Sequence, residues 1–262
     1  MKSLTIVHLF IVIAFLIAPF AGHADCSRIF VVGTNTDAVA KKRAGINAIS
    51  IELFSEIKKR VNCVYNERTL SFTKALEELR NNRIDIFAFA FKAPEWTAVT
   101  NSEVLYSVSR ILLVSKGVYK KEFTISDYIK NPKIKFGVVS GGMFFTNKDE
   151  LDLLEKEKRA VYDPFPDGVI ELLTQRKVQA VFTSPTFYRR YVKQFKLAEL
   201  TEAIPDKNNN LDLTLFFSKT RVKPEEQKIF ADAIKSMRKD GFIRKTLLKY
   251  VLEDDVNKYY TF

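Results

Sequence analysis

Apolar residues recur along the chain with two spacings, and each spacing predicts a different kind of element. In residues 45–61 they lie three or four positions apart, which is the period of one face of a helix. Short apolar runs instead predict buried strands. The predicted strands cover residues 29–32, 64–69, 84–91, 110–115, 134–139, 160–162, 178–182 and 211–217. Strand–helix alternation of this kind predicts open α/β sheets.

Helices are predicted between these strands, and two of them follow a residue that can cap a helix. Ser71 can cap a helix that runs to Asn81, and Asp167 can cap the helix after strand 160–162. The polar run 206–210 predicts a loop. The predicted helices cover residues 45–61, 71–81, 125–130, 147–158, 167–173, 186–194, 224–241 and 242–251.

A weak internal repeat relates residues 76–87 to residues 170–181. Each segment contains an amphipathic helix, a basic turn and a buried strand. Two explanations remain open at this point: any two helix–strand units look alike, or the chain forms two similar α/β lobes. Two lobes facing one another would place the carboxyl ends of their strands around a cleft, where open α/β sheets bind ligands.

Residues 1–24 have the pattern of a secretory signal peptide. Lys2 is the only charged residue before Asp25, an apolar run covers residues 9–18, and Gly22 and Ala24 are small. A membrane anchor is the alternative, but an apolar core of about ten residues is too short to cross ~30 Å of hydrocarbon as a helix. We therefore expect cleavage after Ala24 and a soluble mature protein in the periplasm.

Histidine and cysteine usage limits the chemistry of the mature chain. Both histidines, His8 and His23, lie in the predicted signal peptide. Without histidine, Ser-His-Asp and Cys-His catalysis and the usual zinc sites are excluded, and we expect no enzyme activity, no metal and no cofactor. Cys26 and Cys63 remain, and an even count in an oxidising compartment predicts one disulfide. Two unrelated buried thiols are the alternative.

The chain is strongly basic, with a formal net charge of +11. Lysines and arginines alternate with acidic residues, as in residues 150–159, so we expect no nucleic-acid partner. A basic exported protein could prefer acidic solutes or rest on anionic membrane surfaces. Most of this charge is expected to form an ordinary solvated surface.

Catalytic motifs are weak in this sequence. Ser-x-x-Lys occurs twice, beginning at Ser55 and Ser71, and two occurrences in one chain show how little the pattern specifies. Ser71 is better explained as a helix cap. Gly141-Gly142 precedes a helix and could offer backbone N–H groups to an anion, although such a pair is more often simply a turn.

The segment after strand 84–91 is the strongest candidate for a binding site. Lys92, Glu95 and Trp96 follow the carboxyl end of that strand, where an α/β lobe binds ligands, and Tyr106 and Arg110 come soon after. Trp96 is the only tryptophan and could form an aromatic wall; plain packing is the alternative. Glu95 favours a surface or hinge position over a catalytic one.

Residues 28–251 resemble the bacterial extracellular solute-binding proteins of family 3, the amino-acid-type periplasmic binding proteins. The resemblance is carried by the order of the segments SFTKALEELRNNRIDIFAFA, APEW, SEVLYSVSRILLV, IKFGVVSGG and ELLTQRKVQAVFTS. Each motif is loose, and their shared order is the evidence. The resemblance implies an exported protein with the two-lobed, type II periplasmic-binding-protein-like α/β fold and a ligand cleft between the lobes.

The chain departs from the family at the positions that recognise amino acids. The arginine that clamps an α-carboxylate falls on Trp96, and the acidic residue that holds an α-ammonium falls near Ser184. The Gly-Thr turn is replaced by Gly141-Gly142. The resemblance therefore implies the fold and the export of this chain, but not an α-amino acid as its ligand.

We expect residues 1–24 to be the signal peptide, residues 25–114 and 211–262 to form lobe 1, and residues 115–210 to form lobe 2. The crossover strands near Leu112 and Leu215 are expected to be the hinge. The expected ligand-binding residues are Asn35, Phe91, Lys92, Glu95, Trp96, Tyr106, Arg110, Gly141, Gly142 and Ser184. Trp96 and Tyr106 would meet a flat apolar part of a ligand, and Lys92 or Arg110 an acidic group.

The predicted function is capture of a small solute by a monomeric protein that serves an ABC permease or a sensor kinase. A dehydratase-like periplasmic enzyme on the same fold is the alternative, with a carboxylate such as Glu95 as general acid. A third possibility is an envelope interaction protein whose cleft has decayed.

Overall fold

Strands and helices alternate through the computed structural model, which describes residues 26, 28–34 and 46–262. The predicted signal peptide and Asn35 lie outside the described residues. The strands are β1 (Ile29–Thr34), β2 (Val64–Thr69), β3 (Ile86–Phe91), β4 (Thr100–Ser115), β5 (Phe136–Val139), β6 (Ala160–Asp163), β7 (Ala180–Thr183), β8 (Thr201–Ser218) and β9 (Tyr260–Thr261).

The described helices occupy the connections and the C-terminal region. They are α1 (Ile46–Arg60), α2 (Phe72–Arg80), α3 (Pro94–Thr97), α4 (Ile125–Lys130), α5 (Lys148–Lys156), α6 (Pro166–Thr174), α7 (Pro185–Gln194), α8 (Leu197–Leu200), α9 (Pro224–Lys239), α10 (Phe242–Leu248) and α11 (Glu253–Tyr259). Within the described part of the chain, none of these helices is both long and apolar enough to span a bilayer.

The strands form one sheet in the order β2-β1-β3-β8-β4-β7-β5-β6, and β9 pairs with β4. Strand β1 is parallel to β2 and β3, and β5 is parallel to β6 and β7. The two parallel groups are joined through the antiparallel pair β4 and β8. This topology confirms the predicted two-lobed α/β fold, since each lobe has its own parallel strands and the crossover strands connect them.

The crossover strands are longer than predicted. Strand β8 runs through the polar residues 206–210, which the sequence predicted as a loop. Pairing with β4 survives there because the register shifts: Ser109 lies opposite Asn210, whereas the next residue, Arg110, lies opposite Asp206. Residues 207–209 are thus accommodated as a bulge within the strand, which a pattern of polar residues alone does not distinguish from a loop.

One predicted helix cap is present and the other is not. The Ser71 hydroxyl accepts a hydrogen bond from the Lys74 N–H at 3.3 Å, as expected for an N-cap. The prediction for Asp167 was wrong, because α6 begins at Pro166 and Asp167 lies in its first turn. The Asp167 carboxylate instead accepts hydrogen bonds from Tyr191 and Arg190.

Lobe 1 is closed at its base by covalent and ionic links. Cys26 and Cys63 form the predicted disulfide, with a Cα–Cα distance of 4.9 Å. They precede the neighbouring parallel strands β1 and β2, so both lie at the amino ends of these strands. Nearby, the fully buried Asp85 carboxylate pairs with Arg28 at 2.9 Å and Arg221 at 2.8 Å. These links lie at the opposite end of lobe 1 from the carboxyl ends of its strands.

Candidate functional site

The candidate site lies where the carboxyl end of β3 meets the carboxyl end of β5. Phe91 ends β3, and its ring centroid lies 6.0 Å from that of Phe144, which follows β5. Glu95 lies beside Gly142, also across this boundary. Of the predicted site residues, Phe91, Glu95 and Gly142 therefore lie together at this boundary.

Gly141 and Gly142 form a left-handed turn that brings the two lobes close together. Their φ angles are +85° and +67°, a region that side chains disfavour. A Cβ atom on Gly142 would lie 3.3 Å from Glu95 Oε1 and 3.4 Å from Leu151 Cδ2. The Gly142 N–H donates to the Val139 carbonyl at 2.9 Å, so it is engaged within the turn. The turn permits the close approach of Glu95, and this N–H is not available to an anion.

The Glu95 carboxylate has an unused acceptor in this site. Its Oε2 atom is buried, and no donor in the described part of the chain lies within hydrogen-bonding distance of it. Its negative charge reaches Tyr162, whose pKa is raised first by burial, then by the hydrogen bond to Glu155 and by the charges of Glu155 and Glu95. A buried acceptor without a donor costs free energy, so a ligand that donates a hydrogen bond here would be favoured.

Arg110 is held by the protein rather than presented to a ligand. It is fully buried, and its Nε lies 2.7 Å from Asp206 while its Nη1 lies 2.9 Å from Glu150. Its guanidinium also donates to the Phe144 carbonyl at 3.3 Å and stacks over the Phe182 ring at 3.9 Å. The expectation that Arg110 meets an acidic ligand group is corrected: a buried guanidinium needs paired carboxylates, and it finds them within the chain.

Trp96 packs inside lobe 1. Only 3% of its surface is exposed, and its ring lies 5.3 Å from Phe87 and 4.6 Å from Phe216. Together with the buried residues of α2 these rings form a separate apolar cluster. The expectation of an aromatic wall for a ligand is corrected to plain packing, because the short helix α3 directs the indole toward α2 instead of the lobe boundary.

Tyr106 and Ser184 also have structural partners. Tyr106 is buried, which raises its pKa, and its ring lies 5.5 Å from that of Tyr260 in β9. Ser184 is fully buried and caps α7, where its hydroxyl accepts from the Phe187 N–H at 3.5 Å. Neither side chain presents an open face to the boundary, so their predicted ligand contacts are not supported by these positions.

Lys92 remains available at the end of β3. Its backbone N–H donates to the Asp212 carbonyl at 2.9 Å, which holds the chain beside β8. The side chain is half-buried, and its ammonium group forms no ion pair with any described residue. It is the predicted basic residue that could still meet an acidic group.

The aromatic residue Phe144 was missed by the sequence interpretation. It is 3% exposed and lies between Phe91 of lobe 1 and Phe187 of lobe 2, whose ring centroids are 6.0 and 5.6 Å away. The signal was visible in the sequence, since the apolar run 143–145 directly follows a glycine turn at the end of a strand. In the folded chain Phe145 of this run packs on Phe182 within lobe 2, whereas Phe144 also contacts Phe91 of the facing lobe.

No protein-family model matches the sequence, and no curated protein matches it. Solved structures share its architecture. A histidine kinase sensor domain with similarity to periplasmic binding proteins has a TM-score of 0.67 at 14% identity, covering 86% of this chain and 96% of that one. An ancestral arginine-binding protein bound to arginine has a TM-score of 0.66 at 17% identity, covering 85% and 97%.

A third similar structure is an ancestral amino-acid-binding protein described as a precursor of cyclohexadienyl dehydratase. Its TM-score is 0.62 at 18% identity, and the alignment covers 85% of this chain and 94% of that one. Identities this low establish the fold alone. The chain therefore has the two-lobed fold of the periplasmic binding proteins.

Proposed function

We propose that this chain is an exported binding protein that holds a small solute between its two lobes. The observation that carries the proposal is the convergence of Phe91, Glu95, Gly142 and Phe144 at the carboxyl ends of facing parallel strands. Open α/β sheets bind their ligands at this edge. Solute-binding proteins and sensor domains share the fold, which supports service to either an ABC-type importer or a membrane sensor.

The chemistry of the boundary supports a solute other than an ordinary α-amino acid. Arg110 is neutralised by Asp206 and Glu150, so it supplies no clamp for an α-carboxylate. Opening of the lobes would instead expose the rings of Phe91 and Phe144, which are buried against each other here, together with the unused Glu95 oxygen. A solute with a flat apolar part and an N–H, O–H or cationic group complements these features. Lys92 could meet an acidic group at the edge.

Native mass spectrometry of the exported protein purified from cells tests this proposal. We expect a co-purified small molecule that is released on denaturation and that raises the midpoint of thermal unfolding when added back. Glu95→Gln should weaken its binding about tenfold, since a charge-assisted hydrogen bond contributes more than a neutral one. Glu171→Gln, in an exposed position on α6, is the matched control and should bind normally.

Failure to recover or identify any stabilising small molecule would contradict the proposal and favour an interaction protein whose cleft has decayed. Equal binding by the Glu95 and control variants would contradict the placement of the site while leaving a binding function intact.

A dehydratase-like enzyme is the second candidate, favoured by the unused Glu95 oxygen and by the similarity to a precursor of a dehydratase. In that case Glu95 would act as general acid. Incubation of the recovered molecule with the protein separates the two functions. A binding protein returns the molecule unchanged, whereas an enzyme converts it and loses turnover in Glu95→Gln.

A further inference from the structure

Exposed lysines and arginines gather at the edge of lobe 2 that lies opposite the candidate site. We call this surface the basic edge. It comprises Lys116, Lys120, Lys121, Lys130, Lys133, Lys135, Lys156, Lys158, Arg176, Lys177 and Lys196.

Strand register places these residues at one level. Phe136 lies opposite Ala160 and Ala180, so the segments that precede β5, β6 and β7 share an edge. The end of β4 reaches the same level, because Val114 lies opposite Ala180. Backbone hydrogen bonds tie the segments together: the Ser115 N–H donates to the Gln179 carbonyl at 2.9 Å, and the Lys116 N–H donates to the Leu200 carbonyl at 2.9 Å.

Most of the basic edge is not neutralised by the described residues. Lys116 lies 3.9 Å from Glu202, and the other members form no ion pair within the described part of the chain. The acidic residues in these segments are Glu122, Asp127, Glu155, Glu157, Glu199 and Glu202, and the charge of Asp127 interacts with that of Lys130. Of these, Glu157 pairs with the buried Arg159 at 2.7 Å, and Glu155 accepts a hydrogen bond from Tyr162. The edge therefore carries an excess of positive charge.

Exposed lysines on other elements are only partly paired. Lys148 pairs with Asp152 at 2.5 Å and Lys228 with Asp232 at 2.6 Å, whereas Lys235, Lys239 and Lys245 of lobe 1 form no ion pair with any described residue. The basic edge differs from these positions in the number of unpaired cations that the strand register gathers at one level. A concentrated patch of one sign produces a local potential that attracts surfaces of the opposite sign.

The composition of the basic edge favours a lipid surface over a protein partner. Protein interfaces are enriched in arginine and aromatic residues around an apolar centre and depleted in lysine. The basic edge is almost entirely lysine, and Leu200 is the one large exposed apolar side chain recorded in these segments of the described chain. Long lysines without an apolar centre suit a diffuse layer of negative headgroups, which attracts basic residues within a Debye length.

We propose that the basic edge docks this protein on an anionic phospholipid surface. Because the edge lies at the amino ends of the lobe 2 strands, docking leaves the boundary at their carboxyl ends free. A protein held at a membrane in this way searches for a membrane-embedded partner in two dimensions. The docking itself requires no bound solute and no closure of the lobes.

Vesicle co-sedimentation of the exported protein tests the proposal. We expect binding to vesicles that contain phosphatidylglycerol at about 0.05 M salt, none to pure phosphatidylcholine, and release at about 0.5 M salt, where the Debye length is much shorter. A triple variant should bind the anionic vesicles with a partition coefficient more than about tenfold lower. It carries the substitutions Lys121→Glu, Lys133→Glu and Lys177→Glu. All three residues lie in turns, outside the helices and strands.

The control variant Lys235→Glu, Lys239→Glu, Lys245→Glu has the same net charge and changes exposed residues of lobe 1. It should retain at least half of the binding, and circular dichroism of both variants checks that they are folded. Equal loss in the two variants would overturn the assignment of the edge. Absence of binding to anionic vesicles at low salt, or capture of an acidic protein without vesicle binding, would overturn the lipid surface.

Discussion

Several buried charges in this protein have their partners far away in the chain, as Asp85, Arg110 and Asp255 do. Asp85 shows what this means for a single side chain: Arg28, Arg221 and the Val31 N–H all hydrogen-bond to it. Burial acts to raise its pKa, but the hydrogen bonds from Arg221, Val31 and Arg28 outweigh burial, and the pKa lies below its ordinary value of 3.8. A carboxylate whose pKa is lowered by folding stabilises the folded state while it is ionised.

Asp85→Asn should reduce the free energy of unfolding by about 1.5–3 kcal/mol at pH 7, the range for a hydrogen bond to a charged group. Asp232→Asn, which affects an exposed pair on α9, should change it by less than about 0.5 kcal/mol. Urea unfolding measures both. The pKa of Asp85 is lower in the folded state than in the unfolded state. The stabilisation that ionised Asp85 contributes is therefore complete above pH 3.8 and declines as pH falls toward the folded pKa. A difference between wild type and variant that grew on acidification would contradict this role.

Among the elements, the crossover pair β4 and β8 contains the feature of the fold that the sequence pattern predicted least well, a shift in strand register. The register shift at Ser109 and Arg110 sets Arg110 opposite Asp206, and Glu150 of α5 completes a buried ionic group between strands and helix. The pairing fixes where the two strands pass from one lobe to the other. Arg110 is therefore a structural residue of these elements, and its removal should affect folding before it affects affinity.

Arg110→Met should reduce the free energy of unfolding by about 3–5 kcal/mol, because it leaves two buried carboxylates without their cation. The triple variant Arg110→Met, Glu150→Gln, Asp206→Asn should recover much of this loss, since the uncompensated charges are gone. Urea unfolding compares the two. If Arg110→Met kept full stability and lost only solute binding, Arg110 would be a ligand residue as first expected.

At the scale of the whole molecule, the two lobes meet through aromatic, ionic and strand contacts. Phe144 links the lobes at the candidate site. Arg189 of α7 pairs with Asp255 of α11 at 2.6 Å, and β9 pairs with β4 at Ser107 and Val108. Opening of the lobes would break the aromatic contact first, because β9 and α11 are attached to the crossover strand around which the lobes turn.

We expect the lobes to move about the crossover strands at the register shift between residues 109 and 110. The first expectation placed the hinge near Leu112 and Leu215, but these two residues are not paired with each other: Leu112 lies opposite Ile204, and Leu215 lies opposite Glu103. Phe144→Ala should favour an open form with a larger radius of gyration in small-angle scattering. Phe145→Ala is the control, since Phe145 packs on Phe182 within lobe 2 at 5.2 Å. Both substitutions should reduce the free energy of unfolding by about 3–5 kcal/mol.

Only Phe144→Ala is expected to change the shape of the folded protein. An unchanged radius of gyration in Phe144→Ala, with and without an identified solute, would argue against a hinge between the lobes.

Periodicity and local chemistry determined most of the elements and the fold class. The spacing in residues 45–61 predicted helix α1 to within a residue at each end, and the boundaries of β2 and α4 were predicted correctly. The two cysteines before neighbouring strands predicted the disulfide. Such features depend on residues near one another in sequence, or on the regular geometry of parallel strands, so the sequence pattern contains them.

The tertiary structure decided which candidate side chains face the lobe boundary. Trp96 and Arg110 were predicted for a ligand because they follow the right strand, but Phe216, Asp206 and Glu150 bury them from distant positions in the chain. Phe144 reached the boundary because two glycines with positive φ turn the chain there. The sequence alone determines which groups a side chain can pair with. Which of them it meets depends on long-range packing, because a buried polar or aromatic group takes the partners that the folded chain brings to it.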